Sequence, residues 1–116
     1  MPLLTVRTNA LVDDIQVEPM LKACSAKLAV LLGKPESYVM TLFGRVAGMT
    51  MGGSAEPACL VEVRSVGKIS SVQAREVSAS LTGFLAAELG VPSGRIFLNF
   101  TEVPGAMWGY DGGTFG

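Results

Sequence analysis

Apolar residues along this chain follow two rhythms that alternate. Leu3 to Thr8 is a short, mostly apolar run of strand character, and Cys59 to Val66 is another. After each run the spacing lengthens to three and four residues. Leu21, Cys24, Leu28 and Leu31 form one such series, and Val77, Leu81, Phe84, Leu85 and Ala86 form a second. Each traces one apolar stripe along a helix. Gly33 and Gly90 close the two series, each with a proline two residues on, as where a helix ends in a left-handed residue. Pro19 is expected in the first turn of the first helix, where its missing N–H has no partner to lose. Apolar runs resume at Tyr38 to Phe43 and at Arg95 to Thr101, which predicts one further strand after each helix.

The two halves are copies of one unit. Leu32-Gly33-Lys34-Pro35 is answered by Leu89-Gly90-Val91-Pro92, an offset of 57 residues (90 − 33). The same offset pairs Val6-Arg7-Thr8 with Val63-Arg64-Ser65, Val39 with Ile96, and Phe43 with Phe100. Matches before, within and after the helices argue for duplication rather than a chance tetrapeptide. The expected fold is a single α+β domain. Two pseudo-symmetric βαβ repeats, about 2–44 and 59–101, build a four-stranded mixed sheet with both helices on one face, and a tail covers 102–116. The other sheet face is then bare, and it is expected to be apolar and to pack against other copies, as pseudo-twofold repeats around a threefold axis can do. The segment 44–57, with Gly48, Gly52 and Gly53, reads as a flexible turn between repeats. No Gly-Lys-Ser/Thr comes after it to make it a phosphate loop. In the tail, Trp108, Tyr110 and Phe115 are interleaved with glycines and need burial, on a neighbour or around a pocket.

Composition sharpens this picture. Hydrophobic residues make up 49% of the chain and charged residues 16%, below the roughly one quarter usual for a globular domain. Part of the surface is therefore expected to be covered in an oligomer. The net charge is −1 and no two basic residues are adjacent, so binding to a nucleic-acid backbone is not expected. No apolar stretch nears the roughly 20 residues that span a bilayer, so no membrane partner is expected. The apolar part of MPLLTVRTN is too short for a secretion signal, so a cytoplasmic location is the expectation. Cys24 and Cys59 form no CxxC and read as two buried thiols. With no histidine and two cysteines, a His-based triad and a zinc site both fall away, and no metal or cofactor is expected. Acid–base chemistry near neutral pH would need some other group.

Several short stretches together resemble the macrophage migration inhibitory factor family. They are Pro2 directly after Met1, Val6, Thr8-Asn9, Gly33-Lys34-Pro35 with Tyr38, Gly52 to Pro57, Ser65 to Ile69, Arg95 to Asn99, and Thr114-Phe115. The resemblance implies a homotrimer with active sites at subunit interfaces and keto–enol tautomerase activity, toward phenylpyruvate and dopachrome-type substrates. Pro2, once Met1 is removed, would be the general base. Lys34 and the backbone N–H of Val66 would hold a substrate carboxylate. Asn99, from an adjacent subunit, would bond the far end of the substrate. Leu3, Tyr38, Phe97, Trp108, Tyr110 and Phe115 would form an aromatic, apolar pocket. The chemistry is coherent, because a proton must leave the carbon beside a carbonyl, and an amine depressed by burial and a neighbouring cation is a base suited to neutral pH.

This sequence also departs from the family. Phe97 stands where a tyrosine is frequent, Trp108 replaces a smaller aliphatic residue, and Tyr110 replaces a tryptophan. The stretch Ala58-Cys59-Leu60-Val61 lacks the animal protein's CxxC, so thiol–disulfide chemistry is not expected. Two other readings stand beside the enzyme. One is a cytokine-like protein that engages a receptor protein and keeps the pocket as a relic, with the non-classical secretion that the resemblance implies. The other is a small oligomer that carries unrelated ligands.

Overall fold

The computed structural model describes residues 1–116. Strand β1 (Pro2–Thr8) leads to helix α1 (Asp14–Leu32) and strand β2 (Met40–Arg45). The second repeat supplies β3 (Cys59–Val66), α2 (Ser71–Leu89) and β4 (Ile96–Val103), and the chain ends in a small hairpin, β5 (Gly109–Tyr110) with β6 (Gly113–Thr114). The sheet order is β2-β1-β3-β4. β1 pairs with β2 in parallel, β3 with β4 in parallel, and the two halves meet through the antiparallel pair β1–β3.

The duplication is visible in the register. Leu3 stands opposite Met40, and their repeat equivalents, Leu60 and Phe97, also stand opposite each other. At the centre Thr5 pairs with its own equivalent, Glu62, so the pseudo-twofold axis passes through that pair. The expected α+β architecture is therefore observed, down to both glycine helix ends. Gly33 and Gly90 have φ of 64° and 67°, the left-handed conformation that costs glycine least.

Alternation decides the core. In β1 and β3 the inward positions Leu4, Val6, Val61 and Val63 are fully buried, and they meet Met20, Cys24 and Leu28 of α1 and Val77, Leu81 and Leu85 of α2. The stripe on α1 is turned slightly from the expected one. Met20 and Leu32 are buried, whereas Leu21 and Leu31 are only half-buried. α2 starts with a capping box in which Ser70 Oγ accepts from the Gln73 N–H and Gln73 Oε1 accepts from the Ser70 N–H. An N-cap of this kind contributes about 1 kcal/mol.

Four expectations are corrected. Pro19 lies inside α1 and not in its first turn, because the helix begins at Asp14 after the extended N-cap Asp13. A proline marks a favoured start, but the backbone that breaks at Asp13 sets the actual one. Tyr38 is not in a strand. Residues Glu36–Tyr38 form a 3-10 turn just after Pro35, and β2 starts only at Met40. Arg95 likewise ends a 3-10 turn before β4. Segment 44–57 is not a free turn, since Gly44 and Arg45 end β2 and polar side chains clamp the stretch from Met49 to Pro57. Asn9 Nδ2 donates to the carbonyls of Met49, Ala55 and Glu56, and Asn9 Oδ1 accepts from the Ala58 N–H. From the second repeat, Arg95 donates to the carbonyls of Met51, Ser54, Glu56 and Pro57. Finally, the bare sheet face is not uniformly apolar. Leu3, Met40, Leu42, Leu60 and Phe97 share it with the Arg7–Glu62 ion pair (2.7 Å), Arg64 and Asn99.

No helix is long and apolar enough to cross a membrane. Cys24 and Cys59 are free and buried, as expected. Burial pushes the Cys24 thiol up to about 11 and the Cys59 thiol up to about 12, which leaves little thiolate for redox chemistry at neutral pH.

Candidate active site

Pro2 opens β1, a central strand, and this is the one strand position where proline's missing N–H breaks no ladder bond. Its side chain is fully buried. A cavity of about 410 Å³ lies against it, lined by Met1, Leu3, Ser37, Tyr38, Val39, Met40, Trp108, Gly109 and Tyr110. The wall is mostly apolar, and the tail supplies one side of it. The tail therefore lines a pocket, which is one of the two roles its aromatics called for.

A second cavity, of about 270 Å³, is lined by Met1, Lys34, Pro35, Tyr38, Val66 and Phe115. The Gly33 helix end delivers Lys34 here. Lys34 Nζ comes within 4.0 Å of the point a Cβ on Gly67 would occupy, at the corner where β3 turns toward α2. Gly67 has φ of 90°, a conformation that favours glycine at this corner. The N–H of Val66 donates to the Met1 carbonyl at 3.4 Å. Met1 and Tyr38 line both cavities, so the two are adjoining parts of one cleft. The Met1 amine is held below its ordinary value, first by burial and then by the charge of Lys34.

The tail is built to hold its aromatics in place. The Tyr110 ring stands edge-on to Tyr38 at 5.4 Å and stacks on Phe115 at 5.3 Å. Behind them the Phe115 N–H donates to the carbonyls of Gly105 and Trp108.

Leu3, Tyr38, Trp108 and Tyr110 thus line the cavity at Pro2, and Lys34, Val66 and Phe115 line the adjoining one with Tyr38, all within one chain. Phe97 and Asn99 do not. They lie on β4, across the sheet from the β1–β2 end of the cleft, on the bare face. Phe97 instead borders a separate hollow with Met49, Met51, Leu60 and Arg95. Sequence reasoning missed Ser37, Val39 and Met40 as lining residues. Their signal was present in the Pro35-Glu36-Ser37 turn that precedes β2, but reading Tyr38 as strand concealed it.

A family profile described as Macrophage migration inhibitory factor (MIF) matches residues 1–116. The chain belongs to that family. Among MIF relatives, a homolog from Trichuris trichiura is 37% identical over 115 residues, 99% of this chain and all of its own. The Meriones unguiculatus protein is 34% identical, with 99% of each chain covered. The solved MIF homologue from Prochlorococcus marinus superposes with a TM-score of 0.92 at 39% identity, covering 98% of this chain and 99% of its own. The MIF of Toxoplasma gondii gives a TM-score of 0.93 at 31% identity, covering 97% and 99%. The family resemblance read from the sequence is therefore correct, and so is the fold it implied.

Proposed function

We propose that this chain is a keto–enol tautomerase of aromatic α-keto acids such as phenylpyruvate, with Pro2 as general base once Met1 is removed. The observation that carries this reading is the place of Met1. Its carbonyl oxygen takes the Val66 N–H inside the cavity that holds Lys34. Removing Met1 frees that N–H beside the cation and bares a secondary amine in the adjoining cavity at the same stroke. A free N–H next to an ammonium suits a carboxylate. An apolar cavity at the amine suits an aromatic ring and disfavours the protonated base.

Each part has its step. Lys34 and Val66 anchor the carboxylate. Pro2 nitrogen takes a proton from the carbon beside the keto group, whose C–H electron pair becomes the new C=C bond. The π pair of the carbonyl moves to oxygen, which gains a proton to give the enol. Lys34 also weakens the protonated form of the amine, so one residue both binds and tunes.

The reading includes a homotrimer. Met40 and Phe97 are 64% and 62% exposed on the bare sheet face, and strands β2 and β4 leave their outer edges unpaired. Threefold packing would cover these features and bring Phe97 and Asn99 of one subunit toward the cleft of the next. Light scattering across a dilution series should give three chains per particle. A stable monomer would end the trimer and leave Asn99 without a route to the substrate.

A further inference from the structure

Two phenols, Tyr38 and Tyr110, border the Pro2 cavity, whereas Phe97 brings no hydroxyl anywhere near the base. Tyr38 also borders the Lys34 cavity, so it stands at the junction of the two. On the Pro2 reading, an α-keto acid puts its carboxylate at Lys34 and its acidic carbon at Pro2. Its keto oxygen then falls between those points, where Tyr38 is. We infer that Tyr38 donates its hydroxyl hydrogen to that oxygen as enolate charge develops, and that Tyr110 is the positioning residue that fixes Tyr38.

Both phenols are held from behind. The Tyr38 N–H donates to the Pro35 carbonyl at 3.1 Å, which sets Tyr38 on its 3-10 turn. Tyr110 leads into the turn of the β5–β6 hairpin, where Asp111 and Gly112 have φ of 50° and 81°. Its ring is pinned between the edge of Tyr38 and the face of Phe115. A contact with the Tyr38 hydroxyl, short of a well-formed hydrogen bond, pushes the Tyr110 phenol above its ordinary value. Tyr110 thus braces Tyr38 by ring and hydroxyl contact, and Tyr38 is the phenol that borders both cavities. In the reaction Tyr38 lends a hydrogen bond and keeps its proton. The abstracted proton stays on Pro2 nitrogen until solvent takes it, and the enol oxygen is protonated from water. A donor aimed where charge develops acts on the transition state more than on the bound substrate.

The test uses Tyr38→Phe, Tyr110→Phe and the double variant, all as chains beginning at Pro2, with phenylpyruvate as substrate. Phenylalanine keeps the aromatic packing and removes only the hydroxyl. Tyr38→Phe should lower kcat about 10- to 100-fold, with KM within about twofold and the low-pH limb of the rate profile unmoved. Tyr110→Phe should lower kcat by a smaller factor, about 3- to 10-fold, and the double variant should match Tyr38→Phe alone, because Tyr110 acts through Tyr38. Tyrosinate absorbance during an alkaline titration gives a readout apart from turnover. In Tyr38→Phe the Tyr110 titration should fall back toward that of a free phenol. Wild-type kcat in Tyr38→Phe, or a change confined to KM, overturns the inference and leaves the Pro2 reading intact. An inactive wild-type chain beginning at Pro2 overturns both.

Discussion

Chains that keep Met1 should convert phenylpyruvate at no more than background rate, and chains beginning at Pro2 should convert it at least about 100-fold faster, the lower end of what a general base contributes. In the longer chain the Pro2 nitrogen is an amide nitrogen with no basic lone pair. The Met1 carbonyl holds the Val66 N–H, and Met1 forms part of the wall of both cavities. Base and carboxylate anchor are thus blocked together. Preparations with mixed N-termini, quantified by intact mass, should show rates proportional to the Pro2-starting fraction. Thermal stability should hardly change, since Met1 is only half-buried and contributes one weak backbone bond. Pro2→Ala leaves a primary amine and should be slower without being dead. Equal rates with and without Met1 would rule out Pro2 as the base and return this chain to a binding role.

Lys34→Ala should raise KM for phenylpyruvate by about 10- to 100-fold, as expected when a charge-assisted bond worth about 1.5–3 kcal/mol is lost. The same variant should move the low-pH limb of activity. A base works only when deprotonated, so activity is lost as pH falls through its pKa. Burial first and Lys34 second depress the Met1 amine, and an amine at Pro2, one residue further in and against the adjoining cavity, is expected to feel both. Removing Lys34 therefore raises the pKa and moves the limb to higher pH. The amine should remain below its ordinary value, because the burial remains. Steady-state rates from about pH 5 to 9, the range in which such an amine titrates, separate the two effects. An unchanged KM would remove Lys34 from the site, and an unmoved limb would show that its charge is not felt at the amine.

Much of the fold is legible in the sequence. The 57-residue repeat forecasts both βαβ units, and the glycines at 33 and 90 forecast both helix ends, because each depends on local spacing or on one residue's own conformational freedom. From the sequence, Lys34, Tyr38, Val66 and the tail aromatics can be grouped into one site only by likeness to a family. Spacing alone carries no information on which loops meet.

The rest depends on contacts distant in sequence. Segment 44–57 looks mobile from its glycines, yet Asn9 and Arg95, far away on either side, hold it by backbone carbonyls between Met49 and Pro57. The polar diagonal on the bare sheet face emerges only once β1 and β3 are in register, which sets Arg7 of one strand within reach of Glu62 of the other. The sequence by itself determined the elements, their order and their duplication, since backbone propensity and periodicity are local. Only the tertiary structure decided that a lysine after α1, an N–H at the end of β3 and three tail aromatics line two adjoining cavities beside Pro2, because that convergence is fixed by strand order and register across the sheet.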